Sequence, residues 1–114
     1  MEECLFCRIV VGSIPADIVY RDGRVLAFRD IDPQAPVHVL VIPVAHIGST
    51  DELLSEHEAL AGALVLAAAR VAREQGVAED GYRVAMNTGR NGNQSVGHLH
   101  LHVLGGRRMG WPPG

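Results

Sequence analysis

One short run constrains this chain more than any other: His98-Leu99-His100-Leu101-His102, continued by Val103-Leu104. In extended backbone, successive side chains alternate between faces, so the run places three imidazoles on one side and Leu99, Leu101 and Val103 on the other. Residues 99–104 therefore read as a strand with an apolar face for a core and a face of titratable rings. A merely solvated strand face is served as well by Lys, Glu, Thr or Ser. Three histidines in five residues point instead to proton or ligand chemistry near neutral pH. His38 adds to the pattern. It is the one polar residue in the apolar run from Val37 to Ile42, where a ring needs a partner. Taken alone, His38 reads equally as a hydrogen-bonded core histidine. His57 falls in a helical stretch and takes no role.

The rest of the chain supplies a frame for that strand. Residues 5–11 form one or two helical turns closed by Gly12. Residues 18–21 and 25–29 are short strands across Asp22-Gly23, a hairpin signal. Residues 30–36 are a loop with two prolines. Residues 37–42 read as a buried strand ended by Pro43. Asp51 is placed to cap a long helix over 52–75, stopped by Gly76. Residues 82–87 are a further strand, and 88–97 a Gly/Asn/Ser loop. This order predicts an α+β fold in one domain, residues 1–114: a mainly antiparallel sheet with the long helix on one face.

Composition excludes several classes of function. The 114 residues suit one domain, and the formal charge of −3 with no basic run argues against nucleic-acid binding by counterion release. The longest apolar stretch, 60–69, contains Gly62 and is too short to span a bilayer, so no membrane role is expected. The N-terminus has no export signal, which predicts a cytoplasmic protein with Cys4 and Cys7 as thiols.

Two chemistries can use the histidine face. Three imidazoles can hold a metal with an open position that activates water. Alternatively, one imidazole attacks and the others manage protons and charge. The loop Asn91-Gly92-Asn93-Gln94-Ser95-Val96-Gly97 immediately before the strand is either an ordinary turn or an anion-binding nest of backbone N–H groups.

At this point the residues resemble a known family. His98-Leu99-His100-Leu101-His102-Val103-Leu104 is similar to the histidine triad motif, His-φ-His-φ-His-φ-φ, of the HIT superfamily. The stretch from Phe28 to Pro36 with His38 and Ile42-Pro43, Gln94-Ser95-Val96 before the triad, and Gly105-Gly106-Arg107 after it also match. The ending Trp111-Pro112-Pro113-Gly114 resembles the Hint branch, whose members are nucleoside phosphoramidases. The resemblance implies a five-stranded sheet with one long and one short helix. It implies cleavage of purine nucleoside 5′-phosphoramidates or related compounds through a covalent nucleotidyl-histidine. His100 is then the nucleophile, His102 a ligand of the phosphate oxygens and His38 their support, with His98 the remaining member of the catalytic set. Asn87, Gln94 and Ser95 would contact the phosphate and leaving group. Asp30 would take the ribose hydroxyls, and Leu5, Phe6, Ile9, Phe28 and Ile31 would wall the base slot. No metal is needed for that route. Gly97 and Arg90 depart from the Hint pattern near the leaving group. A nucleotide-binding regulatory module with little turnover, or a metal-dependent hydrolase with the triad as ligands, are the competing functions.

Cys4-Leu5-Phe6-Cys7 supplies half of a tetrahedral zinc site. His46 and His98 would complete Cys₂His₂, and the resemblance supports a structural zinc there. His98 then serves structure rather than proton transfer. Two unmetallated thiols are the alternative. The resemblance also implies a homodimer through the sheet and long helix, the alternative being a helix that simply covers its own sheet.

Overall fold

A computed structural model of the chain describes residues 3–114. The elements run α1 (Leu5–Val10), β1 (Ile18–Arg21), β2 (Val25–Arg29), β3 (Val37–Pro43), α2 (Glu58–Glu74), β4 (Tyr82–Met86) and β5 (Leu101–Gly105). The strands form one five-stranded sheet in the order β1-β2-β3-β5-β4, every neighbouring pair antiparallel. Asp22 closes the β1–β2 hairpin as its composition predicts: its Oδ1 accepts from the N–H groups of Arg24 and Val25, both at 2.8 Å. Among the described residues no helix is long and apolar enough to cross a membrane.

β3 lies at the centre, and both of its faces are covered. Val39 and Val41 join α2 in the larger core, whereas Leu40 and Ile42 join Phe6 and Ile9 of α1 in a second cluster. A strand packed on both faces has no side that prefers water, which explains why 37–42 reads as an apolar run rather than an alternation. α2 buries Leu64, Ala67, Ala68, Val71 and Ala72, one stripe at helical spacing. Each fully buried aliphatic side chain contributes about 1.5–3 kcal/mol.

Two boundaries differ from the sequence expectation. The long helix begins at Glu58 rather than Glu52, and Asp51 is not its cap. Thr50–Glu52 and Ser55–His57 are separate 3-10 turns, divided by extended backbone at Leu53 and Leu54. Leu53 packs against the larger core, and that tertiary contact overrides helix propensity. The His57 ring also closes the second turn, its Nδ1 accepting from the Leu54 N–H at 2.9 Å.

The last strand enters its ladder at Leu101 rather than Leu99. Opposite it, β3 ends in Pro43, which has no N–H to donate. The Leu99 N–H turns instead to the Ile47 carbonyl at 2.6 Å. Side-chain alternation nevertheless persists through this segment. Leu99, Leu101 and Val103 lie in the larger core, and the rings of His98 and His100 both pack on Phe6 on the opposite side.

Candidate active site

The α1 side of the sheet carries an apolar slot of about 250 Å³, near the lower end for small-molecule sites. Leu5, Phe6 and Ile9 of α1, Phe28 of β2 and Leu40 of β3 line it. Phe6 and Phe28 meet edge to face with centroids 5.4 Å apart, and both are 4% exposed. Ile31 lies fully exposed at the rim. His100 and His102 close the inner end, with Asp30 and Ser95 beside them. A second, polar compartment shares Asp30, Ser95 and His102 with the slot and adds His38 and Asn87. The site is thus an apolar slot beside a polar compartment, with Asp30, Ser95 and His102 shared by the two.

Backbone groups dictate which nitrogen of each ring is free. His100 Nδ1 lies 2.7 Å from the His98 carbonyl. A carbonyl only accepts, so Nδ1 carries the proton, and the neutral ring keeps its lone pair on Nε2. The Gln34 N–H donates to His38 Nδ1 at 3.0 Å, which places the His38 proton on Nε2. His38 Nε2–H then donates to His102 Nδ1 at 2.9 Å, which places the His102 proton on its own Nε2. β3 pairs Leu40 with His102, so His38 is the diagonal neighbour of His102 across the two strands. Asp30 Oδ2 stands 3.5 Å from His38 Nε2, and its Oδ1 accepts from the Asp32 N–H at 2.8 Å.

The electrostatics favour neutral rings. Burial pulls His102 down to about 4 from an ordinary 6.5, helped by the neighbouring His100 and His38 rings and opposed by Asp30. His38 is also lowered by burial, against the pull of Asp30 and Asp32. The His102 Nε2–H donor and the His100 ring, whose Nε2 is left unbonded, lie with centroids 4.9 Å apart and can bind and attack a phosphoryl group.

The first histidine of the triad faces elsewhere. His98 is fully buried, and its Nε2–H donates to the Pro43 carbonyl at 2.9 Å. Its Nδ1 lone pair therefore points at Cys4 Sγ and Cys7 Sγ, 3.3 and 3.5 Å away. Cys7 Sγ also lies 3.3 Å from His46 Nδ1. Ligand atoms of Cys4, Cys7, His46 and His98 all fall within 4.8 Å of one another. Two thiols and two imidazole nitrogens, with the His98 tautomer already set by a backbone carbonyl, fit a tetrahedral metal ion. Asp30, His38 and His102 are equally close together. There, however, the Gln34 N–H forces the proton onto the very His38 nitrogen that would have to ligate. The three triad rings do not converge on one point, so the reading of the triad as a shared metal site is corrected by the geometry.

Other expected residues divide. Ser95 and Asn87 line the polar compartment. Gln94 lines neither compartment; its Nε2 donates to the Gly48 and Val96 carbonyls at 2.7 and 2.9 Å, and its Oε1 accepts from the Gly89 N–H. Both ends of the amide are thus spent on backbone, and Gln94 braces the loop instead of reaching a phosphate. In that loop Asn93 adopts φ 60°, a conformation asparagine tolerates. A Cβ on Gly92 would stand 2.5 Å from the Thr88 carbonyl oxygen, so only glycine fits. Sequence reasoning missed Leu40, Val96 and Gln34. Leu40 shares a face with His38 two residues away, a signal that was available. Gln34 acts through its backbone N–H, which no side-chain pattern reveals.

Comparison with known proteins agrees with this geometry. The family model for the HIT domain matches residues 11–109. The chain belongs to the HIT family. This HIT protein is 50% identical over 109 residues to the purine nucleoside phosphoramidase of Escherichia coli (strain K12), covering 96% of the chain and 92% of that protein. It is likewise 50% identical over 112 residues to a 14 kDa zinc-binding protein of Zea mays, covering 96% and 87%. Among solved structures, a HIT family hydrolase from Legionella pneumophila Philadelphia 1 superposes with a TM-score of 0.96 at 46% identity, covering 98% of the chain and all of that structure. The five-stranded antiparallel sheet expected from the sequence is the HIT fold. The matched segment begins at Val11, so the Cys4–Cys7 pair lies outside it.

Proposed function

We propose that this HIT protein hydrolyses purine nucleoside 5′-phosphoramidates through His100. The observation that carries the reading is the His100 Nδ1–H bond to the His98 carbonyl, on a ring that lines the slot. It leaves Nε2 as the free nucleophile and stabilises the positive charge that grows on the ring during attack. In the first step Nε2 forms a bond to phosphorus and the P–N bond breaks, the amine leaving with the electron pair and taking a proton from solvent, which the attacking water gives back in the second. In the second, water attacks the nucleotidyl-histidine, and the monophosphate and a free ring result. The His102 Nε2–H, held in place by the His38 relay, donates to a phosphoryl oxygen in both steps. The planar base packs against the apolar lining supplied by α1 and Phe28. The Asp30 carboxylate accepts from the ribose hydroxyls, while Asn87 and Ser95 hold the phosphate side. The E. coli relative's activity supports the substrate class.

The test is mass spectrometry on protein mixed with a purine nucleoside phosphoramidate. A nucleotidyl adduct is expected on His100, and His100→Ala loses at least about four orders of magnitude in turnover while still binding the monophosphate. Undiminished turnover in that variant removes the reading. Monophosphate binding with neither adduct nor turnover would leave a nucleotide-binding module instead.

Two further parts belong to the proposal. Cys4, Cys7, His46 and His98 hold a structural zinc, as their donor set and the maize relative support. The chain also pairs as a two-fold homodimer through β4 and α2. β4 is an edge strand with Tyr82, Val84 and Met86 exposed at 37–43%, and Met86 borders Val65 of α2 in one apolar hollow. An uncovered apolar edge invites pairing. Sedimentation equilibrium should give twice the chain mass, and Val84→Lys should halve it; a monomer in the unmodified protein overturns this part.

A further inference from the structure

The cysteine–histidine cluster and the attacking ring are not separate sites, because one residue belongs to both. The His98 ring is clamped by the Pro43 carbonyl on one nitrogen and faces the Cys4 and Cys7 thiols with the other. The carbonyl of the same residue, His98, accepts the Nδ1–H of His100. A second link runs in parallel. Phe6 lies between the two cysteines in sequence and packs edge-on against both rings, with centroids 5.9 Å from His98 and 5.2 Å from His100. His98 and His100 are 0% and 3% exposed, so both rings are held almost entirely by protein atoms. The His98–Leu99–His100 segment also lies outside the β5 ladder, so sheet pairing does not hold it. What holds it is the Leu99 N–H bond to Ile47 and the side-chain clamp on His98.

We propose that His98 is a positioning residue: the metal-binding cluster fixes its ring, and through its carbonyl fixes the tautomer and aim of His100. This rests on the reading of His100 as the nucleophile and of the cluster as a zinc site. Losing the ion frees the cysteine side of the clamp, and the His98 backbone then shifts relative to the slot. A misplacement of the reacting atom by about 1 Å costs up to about a hundredfold in rate, so the expected loss falls on kcat. Substrate affinity is set by Asp30 and by slot-lining residues of which only those of α1 adjoin the clamp, so KM should change less than kcat.

The test compares the full chain carrying one Zn²⁺ with the same chain after exhaustive chelation and with His46→Gln. Two readouts are taken: the kcat and KM for a purine nucleoside phosphoramidate, and the ¹H–¹⁵N correlations of the His100 ring. Chelation should lower kcat about tenfold, with KM changed less than about threefold. The His100 Nδ1–H signal, sharp with zinc, should broaden or vanish while the amides of the β1–β2 hairpin stay protected, and added Zn²⁺ should restore both. If the chelated chain unfolds, His46→Gln, which retains both thiols and His98, carries the same readouts. A merely structural cluster would lower thermal stability or raise KM and leave kcat and the His100 signal unchanged; that result overturns the proposal, as does failure to bind stoichiometric Zn²⁺. A His100 signal that follows the metal in a chain without phosphoramidate turnover would strike the proposed reaction and leave the coupling standing.

Discussion

The two histidine clusters of this molecule use the same residue type, the same burial and the same backbone device, yet end with opposite chemistry. In the cysteine cluster, a carbonyl takes the His98 Nε2–H and leaves Nδ1 facing sulfur. In the slot, a carbonyl takes the His100 Nδ1–H and leaves Nε2 facing open space. Burial lowers the pKa of His98 and His102 alike, so protonation does not separate the two clusters. The difference lies in which nitrogen the backbone occupies and what the other one meets. Two soft donors make a metal site, whereas a cavity beside a neutral donor makes a site for attack.

That contrast can be broken in graded steps. The His38→Ala variant should lose about two to three orders of magnitude in kcat, because the relay that places the proton on His102 Nε2 starts at His38. Steady-state kinetics would show it, and a loss below tenfold would mean that His102 orients without help. Asp30→Asn should act on binding instead, raising KM about tenfold with kcat nearly kept, since one charged acceptor for ribose is replaced by a neutral one. Isothermal titration with the monophosphate and with its 2′,3′-dideoxy analogue checks it; equal losses for both ligands would separate Asp30 from the ribose. The smallest effect is on pH dependence. His102 stays neutral in the folded protein down to about pH 4, whereas the unfolded chain binds that proton near 6.5. Between these values the unfolded state holds more protons, so this contribution to stability is complete above pH 6.5 and is lost as pH falls toward 4. The urea midpoint should therefore drop from pH 7 to pH 5, and the His102 ring should titrate near 4 by NMR; a midpoint near its ordinary value would contradict the buried, relay-held ring.

Much of the frame was readable along the chain. Period-two alternation located the histidine strand, the Asp22-Gly23 pair located the hairpin, and Leu and Ala spacing located α2. The misplaced helix start shows the limit: Asp51 is a good capping residue, but Leu53 found a place in the core, and packing outweighs a cap. At the site, residue types pointed to His38, His100 and His102, and the family resemblance added Asp30; the structure brings those four together. Gln94 illustrates the opposite case. An amide beside a phosphate loop looks like a ligand until its partners are known, and here they are all backbone.

The amino-acid order by itself determined which face each triad ring takes, because alternation in extended backbone is a local property of the chain. It also determined that Cys4 and Cys7 sit one helical turn apart. The grouping of His98 with the cysteines is already expected from the residues and the resemblance; only the tertiary structure decided which nitrogen each ring presents to the cysteines or to the slot. That choice depends on the Pro43, His98 and Gln34 backbone groups, and a carbonyl or N–H carries no mark in the sequence of the ring it will meet.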